Sequence, residues 1–185
     1  MKKLTFILLP MLMISLSASA QVDKKDIFNP VYTAVTSQTI APDARAAGMG
    51  DVGAATDPDV NSQYWNPAKY PFNISRAGVS LNYTPWLRQL VSDIDLAYVA
   101  GYYRIGDYSA VSSSLRYFSL GEVQTNDGSN MTINPYEMSL DVAYSLMLSE
   151  HFSLGAAVRW IYSDLTYDYK EDTSPGSAFA ADLSC

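Results

Sequence analysis

From residue 75 onward, apolar and polar residues alternate along the chain with a period of two. In the segment 77–84 the odd positions are Ala77, Val79, Leu81 and Tyr83, and the even positions are small or polar. Five further segments repeat the pattern between polar connections; they are 94–103, 111–117, 138–146, 152–162 and 178–183. Because successive side chains of a β-strand point to opposite faces, the pattern predicts six strands, each with an apolar and a polar face.

Two classes of β-protein alternate in this way, and three features distinguish them. A soluble antiparallel sandwich buries its apolar faces, whereas a membrane barrel turns them to lipid. The segments here are about ten residues long, close to the ~9–11 residues of a tilted membrane strand. Their polar faces are rich in Gly, Ala and Ser, and aromatic residues such as Tyr83, Trp86, Trp160 and Tyr162 gather near segment ends, where barrels have interface girdles. We therefore predict an all-β fold, an antiparallel transmembrane β-barrel.

The connections between the segments differ in length. Gly106-Asp107 joins segments two and three, residues 148–151 join segments four and five, and the other three connections are longer. Short turns on one rim and long loops on the other are typical of outer-membrane barrels, in which the short turns are periplasmic. Since bacterial barrels have 8 strands or more, we expect these six strands to be the first part of a longer barrel.

The first 20 residues have the features of a secretory signal peptide. A basic pair of residues precedes an apolar stretch and a small-residue cleavage site that ends at Ala20. The apolar stretch, residues 4–16, is shorter than the ~20 residues of a bilayer-spanning helix. We expect cleavage between Ala20 and Gln21 and a final location in the cell outer membrane. The predicted parts are a signal peptide (1–20), an N-terminal plug or hatch segment (21–74) and six barrel strands (75–185).

Composition excludes several classes of function. The chain has 12 Lys and Arg against 19 Asp and Glu, a formal net charge of −7, and nucleic-acid binding needs clustered basic residues. Its single cysteine, Cys185, can form neither an internal disulfide nor a metal site by itself. Its single histidine, His151, lies in a predicted turn that offers no catalytic cleft. Asp57, Asp59 and Asn61 have the first spacing of a calcium loop, but the glycine and terminal glutamate of that loop are absent. We predict no catalytic residue, no metal, no cofactor and no enzymatic activity.

Charged residues occur within the strands at positions assigned to the polar faces. On the lipid face an Arg would cost ~2–4 kcal/mol at the bilayer midplane, so we assign these residues to the lumen. There they either pair with one another across the barrel or line its interior. The predicted lumen-facing charges are Asp95, Arg116, Asp141, Arg159 and Asp182.

The plug segment contains two motifs that carry a family resemblance. An Ala/Arg-rich stretch runs into Gly-Met-Gly, and an acidic turn is followed by Trp-Asn-Pro-Ala. Together they resemble the N-terminal signature of the FadL-like outer-membrane proteins, and within them most closely the PorV-type branch of type IX secretion. Fatty-acid channels of that superfamily usually continue with Gly-Leu, whereas Lys69 and Tyr70 follow here. The motif residues are Arg45, Gly48, Met49, Gly50, Trp65, Asn66, Pro67 and Ala68.

The resemblance implies a barrel of 14 strands with an N-terminal hatch. It also implies a carrier that takes cargo with a C-terminal sorting domain from the translocon barrel and passes it to surface attachment proteins. The expected surroundings are outer-membrane lipid. The alternative function is transport of long-chain fatty acids or other hydrophobic compounds, which needs an apolar pocket in the lumen. A simple diffusion porin is disfavoured by the plug. The motif residues either only hold the hatch or contact ligand or cargo directly.

Overall fold

The computed structural model describes residues 35–86, 93–124, 132–165 and 174–185. The expected signal peptide, its cleavage site at Ala20–Gln21 and the first part of the plug segment lie outside these residues. None of the helices in the described ranges is long and apolar enough to cross a membrane.

The described chain is dominated by one antiparallel sheet. Its six strands pair in the order β1-β2-β3-β6-β7-β8, so each strand pairs with the next long strand along the chain. A separate pair of two-residue strands, β4 and β5, lies between β3 and β6. The bounds are β1 (Ala77–Pro85), β2 (Asp95–Ile105), β3 (Ser109–Ser119), β4 (Val123–Gln124), β5 (Thr132–Ile133), β6 (Tyr136–Ser149), β7 (Phe152–Asp164) and β8 (Gly176–Ser184). The predicted antiparallel all-β fold is confirmed.

The short turns lie where the pattern predicted them. Residues 106–108 join β2 to β3, and Gly106 adopts a positive φ of 70°, which a glycine reaches without steric cost. Glu150 and His151 join β6 to β7, next to a register shift between Met147 and Ser149. Both turns therefore lie at the same end of the antiparallel sheet.

Cross-strand pairing aligns the side chains into rows that share one face of the sheet. Directly opposed residues of an antiparallel pair point to the same side, so the registers of the six strands define each row from β1 to β8. One row is almost wholly apolar and exposed, and the neighbouring row is largely polar and more buried. The exposed row is Leu81, Val99, Leu115, Leu140, Trp160 and Phe179, and the neighbouring row is Asn82, Tyr98, Arg116, Ser139, Ile161 and Ala178.

The rows correct the sequence assignment of the two faces of β2. The alternation placed Leu96, Tyr98 and Tyr102 toward lipid and Asp95 toward the lumen. In the structure Leu96 and Tyr98 are each 1% exposed and lie on the buried inner face, whereas Val99 belongs to the exposed outer row. Since β2 carries bulky residues on both faces, its pattern alone could not decide which face the rest of the molecule covers.

Residues 35–74, here called the plug, cover much of the inner face, whereas β8 is exposed along nearly its whole length. The plug contains a 3₁₀ turn (Thr36–Thr39), two short helices (Ala44–Gly48 and Ser62–Trp65) and a longer 3₁₀ segment (Pro67–Phe72). Asp43 begins the first helix by accepting the Ala46 amide at 2.9 Å, a typical N-cap bond. The Pro67–Phe72 segment packs on β2, β3, β6 and β7, so the plug lies across the middle of the sheet.

Candidate functional site

The Trp-Asn-Pro-Ala motif is a junction within the plug. The Trp65 ring lies so close to Gly53 that any Cβ there would overlap it. Its indole Nε1 donates to Asp43 Oδ1 at 3.3 Å, and Tyr64 meets the ring edge-on with centroids 4.8 Å apart. Asp43 thus caps the first helix and also accepts a hydrogen bond from Trp65. This contact connects the Gly-Met-Gly half of the sequence signature to the Trp-Asn-Pro-Ala half.

The remainder of the motif packs the plug against the six-stranded sheet formed by β1–β3 and β6–β8, here called the wall. Asn66 Oδ1 accepts the Ala68 amide at 3.0 Å, which caps the 3₁₀ segment, and its Nδ2 donates to the Cys185 carbonyl at 2.9 Å. Pro67 occupies the first turn of this segment, where its missing N–H is not needed. The buried Ala68 accepts a hydrogen bond from Ser153 Oγ of β7 through its carbonyl. These contacts connect the plug to the last two long strands.

The Gly-Met-Gly half of the signature lies at the plug surface. Arg45 forms an exposed ion pair with Asp59 at 2.9 Å. Gly48 ends the first helix, Met49 is 44% exposed, and Gly50 has a φ of +79°. Of these two glycines only Gly50 needs the left-handed region, and a Cβ at Gly48 would meet nothing within 4 Å.

Lys69 is a buried residue of the plug. In the sequence it was notable only because fatty-acid channels have a different residue at this position. Its Nζ donates to the Gly53 carbonyl at 2.6 Å and lies 3.3 Å from Thr56 Oγ1. Burial lowers the pKa of Lys69, and the Asp59 carboxylate partly opposes this effect. The ammonium group thereby binds the Gly53–Thr56 turn to the 3₁₀ segment Pro67–Phe72.

Tyr70 provides the main aromatic contact between plug and wall. Its ring is fully buried and stacks on Tyr102 of β2, with centroids 4.8 Å apart and 22° between the ring planes. Its hydroxyl donates to the Val60 carbonyl at 2.9 Å, and burial raises its pKa. Burial also raises the pKa of Tyr64, against the opposing charge of Arg116. In the sequence, Lys69 and Tyr70 stand out only because they replace the Gly-Leu of the fatty-acid channels. The contact of Tyr70 with Tyr102 could not be predicted without the register of β2.

Arg116 is the most deeply buried charge of the wall. It is 1% exposed, and its Nη2 donates to the Ser37 carbonyl and, at 2.8 Å, to the Ile40 carbonyl. Its guanidinium carbon lies 5.5 Å from the centroid of the Tyr64 ring. A strand residue therefore holds the start of the described plug through backbone acceptors.

Three further hydrogen bonds tie the helix Ser62–Trp65 and its flank to the wall. Ser112 Oγ donates to Gln63 Oε1 at 2.5 Å. Asn61 Oδ1 accepts from Ser80 Oγ at 2.6 Å and from Asn82 Nδ2 at 2.9 Å. The plug is thus bonded to β1 and β3 by side chains on both partners, and to β7 through the Ala68 carbonyl.

Three of the predicted lumen-facing charges meet on the inner face. Arg159 Nε pairs with Asp141 Oδ1, and its Nη2 lies 3.8 Å from Asp182 Oδ2. Asp141 also accepts from Ser114 Oγ at 3.1 Å. Pairing, one of the two roles that the sequence left open, is present for these charges across β6, β7 and β8.

Asp95 differs from the other four. It opposes Pro85 and Ser119 in an outer-face row, and its Oδ1 accepts from the Tyr83 hydroxyl at 2.7 Å. Its assignment to the lumen is corrected for the same reason as the faces of β2. As the first residue of its strand, Asp95 lies at the loop end of the wall and not at mid-depth.

Within the described ranges, no three His, Cys, Asp or Glu residues converge to hold a metal ion. His151 is exposed in the turn between β6 and β7, and its backbone amide donates to Ser149 Oγ. What the arrangement does chemically is bond a helical plug to one face of a β-wall.

The fold and this interface define a class of protein, an antiparallel β-wall with an apolar outer face and an N-terminal plug on its inner face. The family model of the type IX secretion system protein PorV matches residues 22–185. The chain therefore belongs to the PorV family of type IX secretion proteins, as the plug motifs predicted. No curated protein matches the chain. Family membership makes the chain a type IX secretion component, and the β-rich structure fits an outer-membrane location.

Proposed function

We propose that the protein is a carrier in type IX secretion. It binds cargo proteins with a C-terminal sorting domain at the translocon barrel and passes them to the surface attachment proteins. The observation that carries the proposal is the occupied, polar inner face of the wall. A carrier needs a stable outer-membrane body with surfaces for partner proteins, and it needs no passage through that body.

The two faces of the wall support an arrangement in the membrane. The exposed apolar rows contact outer-membrane lipid, and the rim with the short turns faces the periplasm. Export depends on residues 1–20, with cleavage between Ala20 and Gln21. Residues 21–74 act as the hatch, and the strands after residue 75 form part of the barrel. The motif residues around Trp65 hold the hatch in place, so partner contacts lie elsewhere.

The rival function, transport of fatty acids or other hydrophobic compounds, fits the inner face less well. An acyl chain on that path would displace the Tyr70–Tyr102 stack and the plug carbonyls that accept from Arg116. A buried charge that is left without partners is costly. Serines also line the inner face, and Ser114, Ser139, Ser145 and Ser153 are all buried there. The plug–wall interface is therefore largely polar, and it is poorly suited to line a passage for hydrophobic compounds.

The test is affinity purification of the tagged protein from native outer membranes in mild detergent. Mass spectrometry then identifies both co-purified proteins and lipids. We expect a large partner barrel, and secreted proteins that share a C-terminal domain, in amounts well above those on a control barrel with the same tag. Blocking surface attachment in the cells should increase the recovered cargo, because the carrier then cannot release it.

Recovery of free fatty acid without a protein partner would overturn the carrier proposal and favour the transporter. Two variants serve as negative controls for this result. Tyr70→Phe keeps the aromatic stack and should retain all partners. Tyr108 is exposed in the β2–β3 turn, on the rim opposite the long loops. Tyr108→Ser should also leave cargo recovery unchanged if cargo binds on the extracellular side.

A further inference from the structure

The outer face of the wall contains a hollow between its apolar rows. One row contains Val79, Gly101, Ser113 and Val142, so two small residues lie between two valines. The resulting hollow has a volume of about 640 Å³ and an almost entirely apolar lining. The hollow is a shallow groove, open along the outer face, and not an enclosed cavity.

The hollow is bounded toward the short-turn rim by a tyrosine. Tyr103 lies opposite Ala77 in the adjoining row, and both residues line the hollow. Because Ala77 is small, the hollow opens toward the rim beside the Tyr103 ring. An extended hydrocarbon chain entering from that rim can therefore reach Gly101.

A cation lies at this opening. The guanidinium carbon of Arg76 is 5.6 Å from the centroid of the Tyr103 ring, an arrangement typical of a cation–π contact. The Arg76 carbonyl accepts the Arg104 amide at 2.8 Å, which fixes its backbone beside the β2–β3 turn. Within the part of the chain that the structure describes, the Arg76 side chain has no carboxylate partner. Its N–H groups are available to an anionic oxygen ligand.

We infer that this hollow and Arg76 form a specific site for one anionic phospholipid of the periplasmic leaflet. One acyl chain lies over Gly101 and Ser113, and the phosphate contacts the Arg76 guanidinium. The charges argue for a local site, since the chain carries a net charge of −7 and does not attract anionic lipid as a whole. The inference rests on the proposed lipid contact of the outer face, and it is independent of cargo.

The experiment is native mass spectrometry of the full-length protein, delipidated in detergent and titrated with dipalmitoyl phosphatidylglycerol. Gly101→Leu fills the hollow, and its new Cβ would have only ordinary contacts, 3.5 Å to the Gly78 carbonyl oxygen and 3.6 Å to Val79. Arg76→Gln removes the cation. The matched control is Ala181→Leu, which adds the same bulk to the same outer row at β8, where Ala181 opposes Val158.

We expect the first phosphatidylglycerol to bind about tenfold more weakly to Gly101→Leu and to Arg76→Gln than to the parent and to Ala181→Leu. Ser113→Leu should repeat the effect of Gly101→Leu. Equal binding by all variants would overturn the inference. So would a loss with Arg76→Gln alone, because the headgroup would then bind without the hollow. Partner recovery from the same preparations separates this result from the carrier proposal, which fails only if protein partners are absent.

Discussion

Gly155 of β7 lies directly beneath Ala68 of the plug. A Cβ built on Gly155 would lie 2.9 Å from the Ala68 nitrogen and 3.2 Å from its Cα. Both are backbone atoms, which cannot move aside as the end of a flexible side chain can. Together with the bond from Ser153 to the Ala68 carbonyl, this contact sets how closely the plug approaches the wall.

Gly155→Ala should therefore loosen the plug. Overpacking of this kind typically costs about 1–3 kcal/mol. The measurement is the rate of tryptic cleavage after Lys69, which is buried in the parent. Gly101→Ala is the control, because its Cβ points to the outer face and meets no atom closer than 3.5 Å. Equal cleavage rates in the two variants would contradict the tight seating of Ala68.

Arg116→Met should release the beginning of the described plug. The substitution leaves the Ser37 and Ile40 carbonyls without their buried donor, and an unsatisfied buried polar group costs about 1–3 kcal/mol. Hydrogen exchange in peptides covering residues 36–46 should accelerate. The control is Arg45→Met, since exposed ion pairs such as Arg45–Asp59 contribute about 0–1 kcal/mol. Unchanged exchange in Arg116→Met would show that these carbonyls are held by other groups.

Two substitutions of Tyr70 separate its ring from its hydroxyl. Tyr70→Phe retains the stack on Tyr102 and loses the bond to the Val60 carbonyl, for a cost of about 0.5–1.5 kcal/mol. Tyr70→Ala also removes the buried ring, for a cost of about 3–5 kcal/mol. The measurement is the free energy of unfolding by denaturant in detergent. If both variants lost the same stability, the hydroxyl would be the main contribution and the stack a minor one.

Lys69 predicts a pH dependence of stability. Its pKa is lower in the folded protein than in the unfolded chain because burial disfavours the charged form. The folded state therefore carries a penalty below the lowered pKa, and that penalty is relieved as pH rises toward the ordinary lysine value. The measurement is the difference in thermal unfolding midpoint between the parent and Lys69→Met. This difference, parent minus variant, should increase between pH 7 and about pH 10.

The comparison with Lys69→Met isolates this effect from nearby tyrosines. The pKa values of Tyr64 and Tyr70 are raised by burial, so their contribution is present below the ordinary tyrosine pKa and declines at higher pH. Both proteins retain these tyrosines, and the difference cancels their effect. A difference that stayed constant with pH would show that Lys69 keeps its ordinary pKa in the plug.

The strand pattern was predictable because alternation is a local property. Each segment from 77 to 183 with clear period-2 spacing forms a strand of the sheet, and the two tight connections form turns. At the motif around Trp65, Pro67 restricts the backbone before it, and the chain passes from a short helix to a 3₁₀ segment there. The contacts of these residues were not predictable, because Gly53, Asp43 and β7 reach them only in the folded chain.

β2 shows where local information ends. Tyr98 and Tyr103 are both bulky and lie on opposite faces, so hydrophobicity gives no preference between lipid and plug. Only the pairing with β1 and β3, together with the plug over Tyr102, decides the outcome. Asp95 was assigned to the wrong face for this reason alone.

The sequence by itself determined the class of fold and the family, because the first depends on periodicity and the second on motifs that are contiguous in the chain. Tertiary structure decided which face of β2 is buried, that Lys69 and Tyr70 join plug to wall, and that Asp141, Arg159 and Asp182 pair. The physical reason is that each of these depends on a partner from another element. Burial and charge pairing are properties of a pair in space, and strand register brings the partners together.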